Sequence, residues 1–248
     1  MSKILISLAL CISALFSPNT MAQTWEGQGE AGLVKTSGNT ESESLNLGID
    51  LSYSRGSWSN SVILNAYRSS NNDIESANSL SADYLLERAL SKRSNLFASL
   101  GYLDDDFDGF TEKVSASVGY GYKVIDSEKT KWETSVGFGY RDTDVIVPPA
   151  DNSSSLISST KSISGATFVA RSEFKTSLTD NTTFIDNFKS EFGSDNSFFE
   201  NEAALLVAMN KKFSLKVAFL VRHNTDPGAK TDKTDTISSL SLVYQLGK

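Results

Sequence analysis

The densest set of ligating oxygens in the chain is the run Asp104-Asp105-Asp106-Phe107-Asp108-Gly109. Carboxylates two residues apart can converge on one cation, and a glycine permits the sharp turn such a loop needs. Asp104, Asp106 and Asp108 are therefore candidate ligands for Ca2+ or Mg2+. Ser115 stands where a calcium loop would place its bidentate closing acid, and the competing reading is a solvated acidic turn. No other cofactor is expected. Acid–base chemistry has less to work with, because His223 is the only histidine and Cys11 the only cysteine. A hydrolase with a histidine base would need His223 beside a nucleophile, and carboxylate-only chemistry would fall to pairs such as Glu200 and Glu202.

What these groups can do depends on where the chain puts them. Lys3, the apolar run from Ile4 to Phe16 and Thr20-Met21-Ala22 read as a secretory signal peptide over residues 1–22, cleaved before Gln23. The apolar run, which includes Cys11, is too short to span a membrane as a helix, and no later stretch is apolar enough to do so. The chain carries 23 Lys plus Arg and 30 Asp plus Glu, a net charge of -7. Loss of Lys3 leaves a mature domain, residues 23–248, that is more acidic by one charge and cannot form disulfides. No basic stripe points to nucleic acid.

Within that domain one pattern recurs. In Ser44 to Tyr53 every odd position is large and apolar and every even position is small or polar, the signature of a strand with one apolar face. The same period returns in Val62 to Ala66, Leu80 to Leu86, Leu96 to Tyr102, Val114 to Tyr122 and Trp132 to Tyr140. It continues in Ala166 to Phe174, Phe184 to Phe192, Ala203 to Met209, Phe213 to Val221 and Leu240 to Leu246. With an opening strand from Trp25 to about Lys35, this predicts twelve strands of about ten to fourteen residues, roughly twice the usual soluble length. Ten and fourteen are the neighbouring even numbers. Strands of about 9 to 11 residues cross a bilayer when tilted, and bacterial single-chain barrels use even strand numbers. The expected fold is all-β, an antiparallel transmembrane β-barrel in the outer membrane of a Gram-negative bacterium. A soluble lipocalin-like barrel, with the apolar set inside, is the alternative.

Connectors and aromatic residues test that orientation. Compact, often basic turns are expected at Arg55-Gly56-Ser57, Ser91 to Ser94, Asp126 to Thr130, Thr179 to Asn181 and Asn210 to Lys212, the periplasmic end. Longer or more acidic connectors are expected at Asn71 to Ser76, Asp104 to Gly109, Ile146 to Thr160, Gly193 to Ser197 and Thr225 to Lys233. Only Ser37-Gly38-Asn39-Thr40 at that outer end is tight. Trp25, Tyr53, Trp58, Tyr122, Trp132, Phe174, Phe213 and Tyr244 fall at the periplasmic ends, and Tyr102, Tyr140 and Phe199 at the outer ends, as interfacial girdles should. One residue resists the pattern. Asp186 shares the parity of Phe184 and Phe188 and would face lipid unless a bulge or a register shift turns it away.

The opposite parity fills the lumen with charge. Glu26, Glu30, Asp50, Asp83, Glu87, Glu133, Glu173, Glu191, Glu200 and Glu202 face Lys113, Lys123, Arg141, Arg171, Lys175, Lys189, Lys216 and Arg222. A strongly selective pore carries a ring of one sign, whereas so balanced a set suits a narrow, weakly selective pore or a wall rigidified by mutual pairing. Gly119, Gly121, Gly137 and Gly139 remove side chains from one side of the lumen and leave room there for water or an infolded loop. His223 has the parity of Phe219 and Val221, which points it toward lipid and away from the inward carboxylates.

Several segments resemble the YdiY-like family of salt-induced outer-membrane proteins, a domain of unknown function. They are Thr36-Ser-Gly-Asn-Thr40, Asp104 to Phe110, Gly119-Tyr-Gly-Tyr122, Leu178-Thr-Asp-Asn181, Asn201 to Val221 and Asn224-Thr225-Asp226-Pro227. The resemblance runs from about Trp25 to the C-terminus, and implies an outer-membrane barrel with a link to salt or osmotic stress but no reaction, ligand or catalytic residue. The chain ends Tyr244-Gln-Leu-Gly-Lys248, where such barrels more often end on an aromatic or apolar residue. The partners expected are outer-membrane lipid, lipopolysaccharide and the barrel-assembly machinery, with the protein monomeric and no nucleic acid bound. A cation at the acidic turn would bridge to lipopolysaccharide phosphate, which Arg68 and Arg222 near the same rim would contact directly. The function expected is a narrow pore, with a non-conducting structural or ligand-binding barrel as the alternative and a small hydrolase behind both.

Overall fold

A two-residue period sustained over twelve or more residues gives each strand one face that must leave water, and closing the sheet on itself satisfies every backbone group without an edge. The computed structural model, which describes residues 24–36, 42–71, 74–105, 110–147, 159–194, 196–227 and 232–246, has that form. Its strands are β1 (Thr24–Thr36), β2 (Ser42–Arg55), β3 (Trp58–Asn71), β4 (Ile74–Ala89), β5 (Ser94–Asp105) and β6 (Phe110–Asp126). They continue as β7 (Thr130–Val147), β8 (Ser159–Ser177), β9 (Thr182–Gly193), β10 (Ser197–Ala208), β11 (Phe213–Asn224) and β12 (Thr234–Leu246). All neighbours pair antiparallel in chain order, and β1 meets β12 to close a twelve-stranded barrel. That seam is short. Gly27 to Ala31 pair with Leu246 to Leu242, whereas β1 and β2 pair from Thr24 to Thr36.

The apolar parity lies outside. Leu45, Leu47, Ile49 and Leu51 are exposed on the outer face of β2, as are Val114, Val118 and Tyr120 on β6 and Leu215, Val217 and Phe219 on β11. A closed barrel with an apolar exterior and a charged interior is a transmembrane barrel, not a lipocalin-like one. Aromatic side chains gather at both ends of the band. Trp25 meets Tyr53 and Phe213 meets Tyr244 at the short-turn end, with ring centroids 4.7 and 5.1 Å apart. At the other end Phe138, Phe168, Phe192, Phe199 and His223 make a ladder of ring contacts across β7 to β11.

Strands run from 12 residues to the 19 of β8, longer than the alternation predicts. Strand β5 continues through Asp105 into the expected acidic turn, Asn71 pairs with Ile74, and Val147 pairs with Ser159. Beyond the bilayer a hairpin can zip further with polar residues on both faces, because hydrogen-bonded pairing needs no apolar alternation in water. The turn Gly56-Ser57 is the tightest of the connectors at the short-turn end, and Gly56 has φ of 61° there, as a two-residue hairpin turn requires. Residues 1–22, Ser37 to Thr40 and Asp106 to Gly109, on which the leader, the first outer turn and most of the acidic loop were read, lie outside the described residues.

Candidate functional site in the lumen

Strand parity turns the charged set inward, and the register stacks it in layers from the short-turn mouth to the other. Glu26, Lys123 and Lys175 stand on the inner face nearest the short turns. Above them, Asn95 Nδ2 donates to Glu87 Oε1 at 2.8 Å and to Glu133 Oε1 at 2.6 Å, joining β4, β5 and β7. Glu173 and Asp50 share this acidic half. The Arg171 guanidinium lies 4.9 Å from the Phe97 ring centroid, and its Nη2 donates to Ser99 Oγ at 2.7 Å.

Higher up, Lys216 Nζ reaches Glu30 at 3.1 Å and Glu202 at 3.2 Å, while Asn46 Nδ2 donates to Glu30 Oε1 at 2.9 Å and Ser241 Oγ at 3.2 Å. These contacts straddle the β1–β12 seam from inside. The next layer centres on Glu191, 2% exposed, which is 3.3 Å from Lys189, 3.6 Å from Arg141 and 3.9 Å from Lys113. Lys189 also reaches across the lumen to Asp83 at 3.7 Å, and the Lys113 ammonium sits 3.3 Å from the Phe198 ring centroid.

The outermost layer crosses the barrel again. Arg222 Nε donates to Glu200 at 2.9 Å on the neighbouring strand, while Nη1 donates to Asp105 at 2.9 Å and to Ser79 Oγ at 3.2 Å on the far wall. Arg141 Nη2 donates to the Asn196 carbonyl at 2.7 Å, tying the β9–β10 connector over the same region. The deeply buried Glu191 and Arg222 have left water at several kcal/mol apiece, and each is surrounded by two or more opposite partners. The wall formed by β4 and β5 must therefore lie within two side-chain lengths of β9 and β11.

Several expectations change here. The glycines of β6 and β7 leave neither a water channel nor a berth for a loop. A Cβ at Gly119 would lie 2.5 Å from Phe97 Cε1, and one at Gly137 would lie 3.0 Å from Phe97 Cζ, so the aromatic ring already fills that space. Asn95 occupies the corresponding place beside Gly121. Arg222 is buried and turned inward, away from any lipopolysaccharide phosphate. Asp186 has no bulge to turn it. It faces out between Phe174 and Ala203, with Asn201 Nδ2 at 3.3 Å from its Oδ2.

Of the proposed metal ligands, Asp104 faces outward on β5, where it accepts a hydrogen bond from the Tyr102 hydroxyl at 3.4 Å, and Asp106 and Asp108 lie outside the described residues. No group of three or more metal-ligating side chains occurs among the described residues. His223 Nδ1 is 2.8 Å from Thr234 Oγ1 on the outer face, and Glu200 and Glu202 are engaged by different cations, Arg222 and Lys216. Asp105, Phe97 and Asn95 are the residues that spacing did not single out. Continuing the parity of Gly101 and Leu103 one step further would have turned Asp105 inward.

The comparisons with known proteins follow this architecture. Residues 29–246 match the family described as "Protein of unknown function, DUF481". The chain belongs to that family. Among curated relatives, this DUF481 barrel is 28% identical over 230 residues to the uncharacterized protein YdiY of Escherichia coli (strain K12), covering 92% of this chain and 86% of that one. Among solved structures it is similar to an outer-membrane channel from Pseudomonas putida F1, with a TM-score of 0.49 at 10% identity over 93% of this chain and 97% of that one. It is also similar to the translocator domain of the autotransporter NalP from Neisseria meningitidis, with a TM-score of 0.46 at 11% identity over 99% and 96%. Likeness so distant leaves the function of the DUF481 barrel to its own residues.

Proposed function

We propose that this barrel resides in the outer membrane of a Gram-negative bacterium, exported behind a cleaved leader, and works as a narrow, weakly cation-preferring pore. The observation that carries the reading is the unevenness of the inner wall. Ile63 faces inward yet is 40% exposed, Asn65 beside it is exposed, and the Asp83 side chain is 45% exposed, while Glu191 opposite is almost fully covered. Water therefore has a path along β2 to β4, and the opposite side is packed shut at the layers of Glu191 and Arg222. Asp83 on that path, and Glu173 at the more open short-turn end of β8, stand against Lys175 and a partly covered Lys189, which tilts the lumen slightly toward cations. A role in salt or osmotic stress, a monomeric state and dependence on lipopolysaccharide and the assembly machinery complete the proposal.

Purified protein in a planar bilayer should give small conductance steps with a modest cation preference. A folded barrel that stays silent would favour the second reading, a closed structural element of the envelope. That reading draws on the Arg222 layer, where side chains from opposite walls meet across the lumen.

A further inference from the structure

The outer face of β1 to β4 carries a polar cluster that neither a pore nor a barrel wall requires. Arg55 pairs in register with Trp58, and Trp58 with Arg88, so the three side chains stand abreast on the lipid face at the short-turn end. The Arg88 guanidinium lies 5.4 Å from the Trp58 ring centroid. Adjacent strands are about 4.8 Å apart, so two arginines separated by one strand can converge on a single anion above the indole.

One row deeper, the Tyr84 hydroxyl donates to Asn60 Oδ1 at 2.7 Å, leaving the Asn60 amide N–H groups to donate at the depth of a lipid's ester linkages. Deeper still, an outward groove of about 520 Å³ is lined by Gly29, Ala31, Leu47, Ile49, Leu64 and Ala66 among others. A Cβ at Gly29 would meet nothing within 4 Å. From Trp58 to Leu64 is about 20 Å along a strand, or about 15 Å along the membrane normal at the usual tilt, which is where acyl chains approach the midplane.

We propose that this face binds one anionic glycerophospholipid of the periplasmic leaflet. Arg55 and Arg88 hold its phosphate over Trp58, Asn60 meets an ester carbonyl, and an acyl chain lies in the Gly29–Ala31 groove. An anionic headgroup fits better than a zwitterionic one because the cluster brings two cations and no carboxylate into the row. The site does not depend on whether the lumen conducts.

Native mass spectrometry of the folded barrel released from detergent micelles, titrated with phosphatidylglycerol or with phosphatidylcholine of the same acyl chains, tests this. One phosphatidylglycerol should be retained at a concentration at least about tenfold lower than phosphatidylcholine, the factor expected of one charge-assisted contact. Arg55→Gln with Arg88→Gln should erase the difference, and Gly29→Leu should weaken both lipids alike by filling the groove. Excess inorganic phosphate should leave the lipid bound. Equal retention of the two lipids, an unchanged double variant, an unaffected Gly29→Leu variant or displacement by phosphate would each overturn the proposal. Heat-modifiable electrophoretic mobility reports whether each variant is folded, and the single variants Arg55→Gln and Arg88→Gln, each expected to lose part of the preference, carry the test if the double variant is not.

Discussion

Arg222 on β11 and Asp105 on β5 meet across the lumen, with Nη1 and Oδ2 2.9 Å apart and both residues buried. Five strands separate them whichever way round the sheet one goes, so the two stand diametrically opposite, and the contact fixes the cross-section of the barrel and not the pairing of any two strands. Asp105→Asn keeps the shape and removes the charge, while Arg222 retains Glu200. The variant should lose about 2 kcal/mol in urea unfolding from lipid vesicles, the worth of a hydrogen bond to a charged group. It should also raise single-channel conductance. Unchanged conductance would place the constriction elsewhere.

Phe97 plays the apolar counterpart of that tie. Its ring rests on Gly119 and Gly137 with Arg171 over its other face, so Phe97→Ala should cost about 3 kcal/mol and open a second path beside β6 and β7. Gly137→Ala should destabilise without opening anything, because its Cβ would meet the Gly119 backbone as well as the ring. Unfolding and conductance measured on both variants separate filling from plugging.

Asp83 faces the accessible side of the lumen, and its partner Lys189 keeps Glu191 at 3.3 Å when Asp83 is neutralised. Asp83→Asn should therefore move the reversal potential in a KCl gradient toward zero while leaving stability within about 1 kcal/mol, as for a partly exposed pair. The native preference should weaken as salt rises, since exposed charges farther apart than about 8 Å are screened at physiological ionic strength.

Asp186 sits on the lipid face with only a long contact to Asn201. Asp186→Leu should stabilise the barrel by about 1 kcal/mol, less than the gain for removing a midplane lysine or arginine. Chemical denaturation from vesicles of defined thickness measures it, and a loss of stability would mean that the carboxylate has a partner in the membrane.

Strand number, closure and orientation were legible because a two-residue period and its interfacial aromatics are local properties of the chain. The layering of charge was legible only as a list. Parity says that Glu191 and Lys113 share an interior, but which of several cations reaches Glu191 depends on shear and on how flat the barrel is, and neither is encoded in any one strand. Phe97 shows the limit most clearly. In Leu96-Phe97-Ala98 the alternation is broken by an apolar residue on the polar face, and its reason lies in Gly119 and Gly137 on the next two strands. Asp105 was hidden for a different cause, since a run of aspartates reads as a turn although the ladder continues through it.

The short ladder between β1 and β12 has a bearing on how long the barrel survives in the bilayer. Among the described residues few backbone hydrogen bonds close it, so it can zip last and quickly during insertion. To part sideways again it must pull Glu30 from Lys216 and Ser241 from Asn46, and turn a carboxylate toward hydrocarbon at a cost of several kcal/mol. The seam thus behaves as a ratchet, and the persistence of the inserted state is governed by a rate of escape and not by the count of bonds along the join.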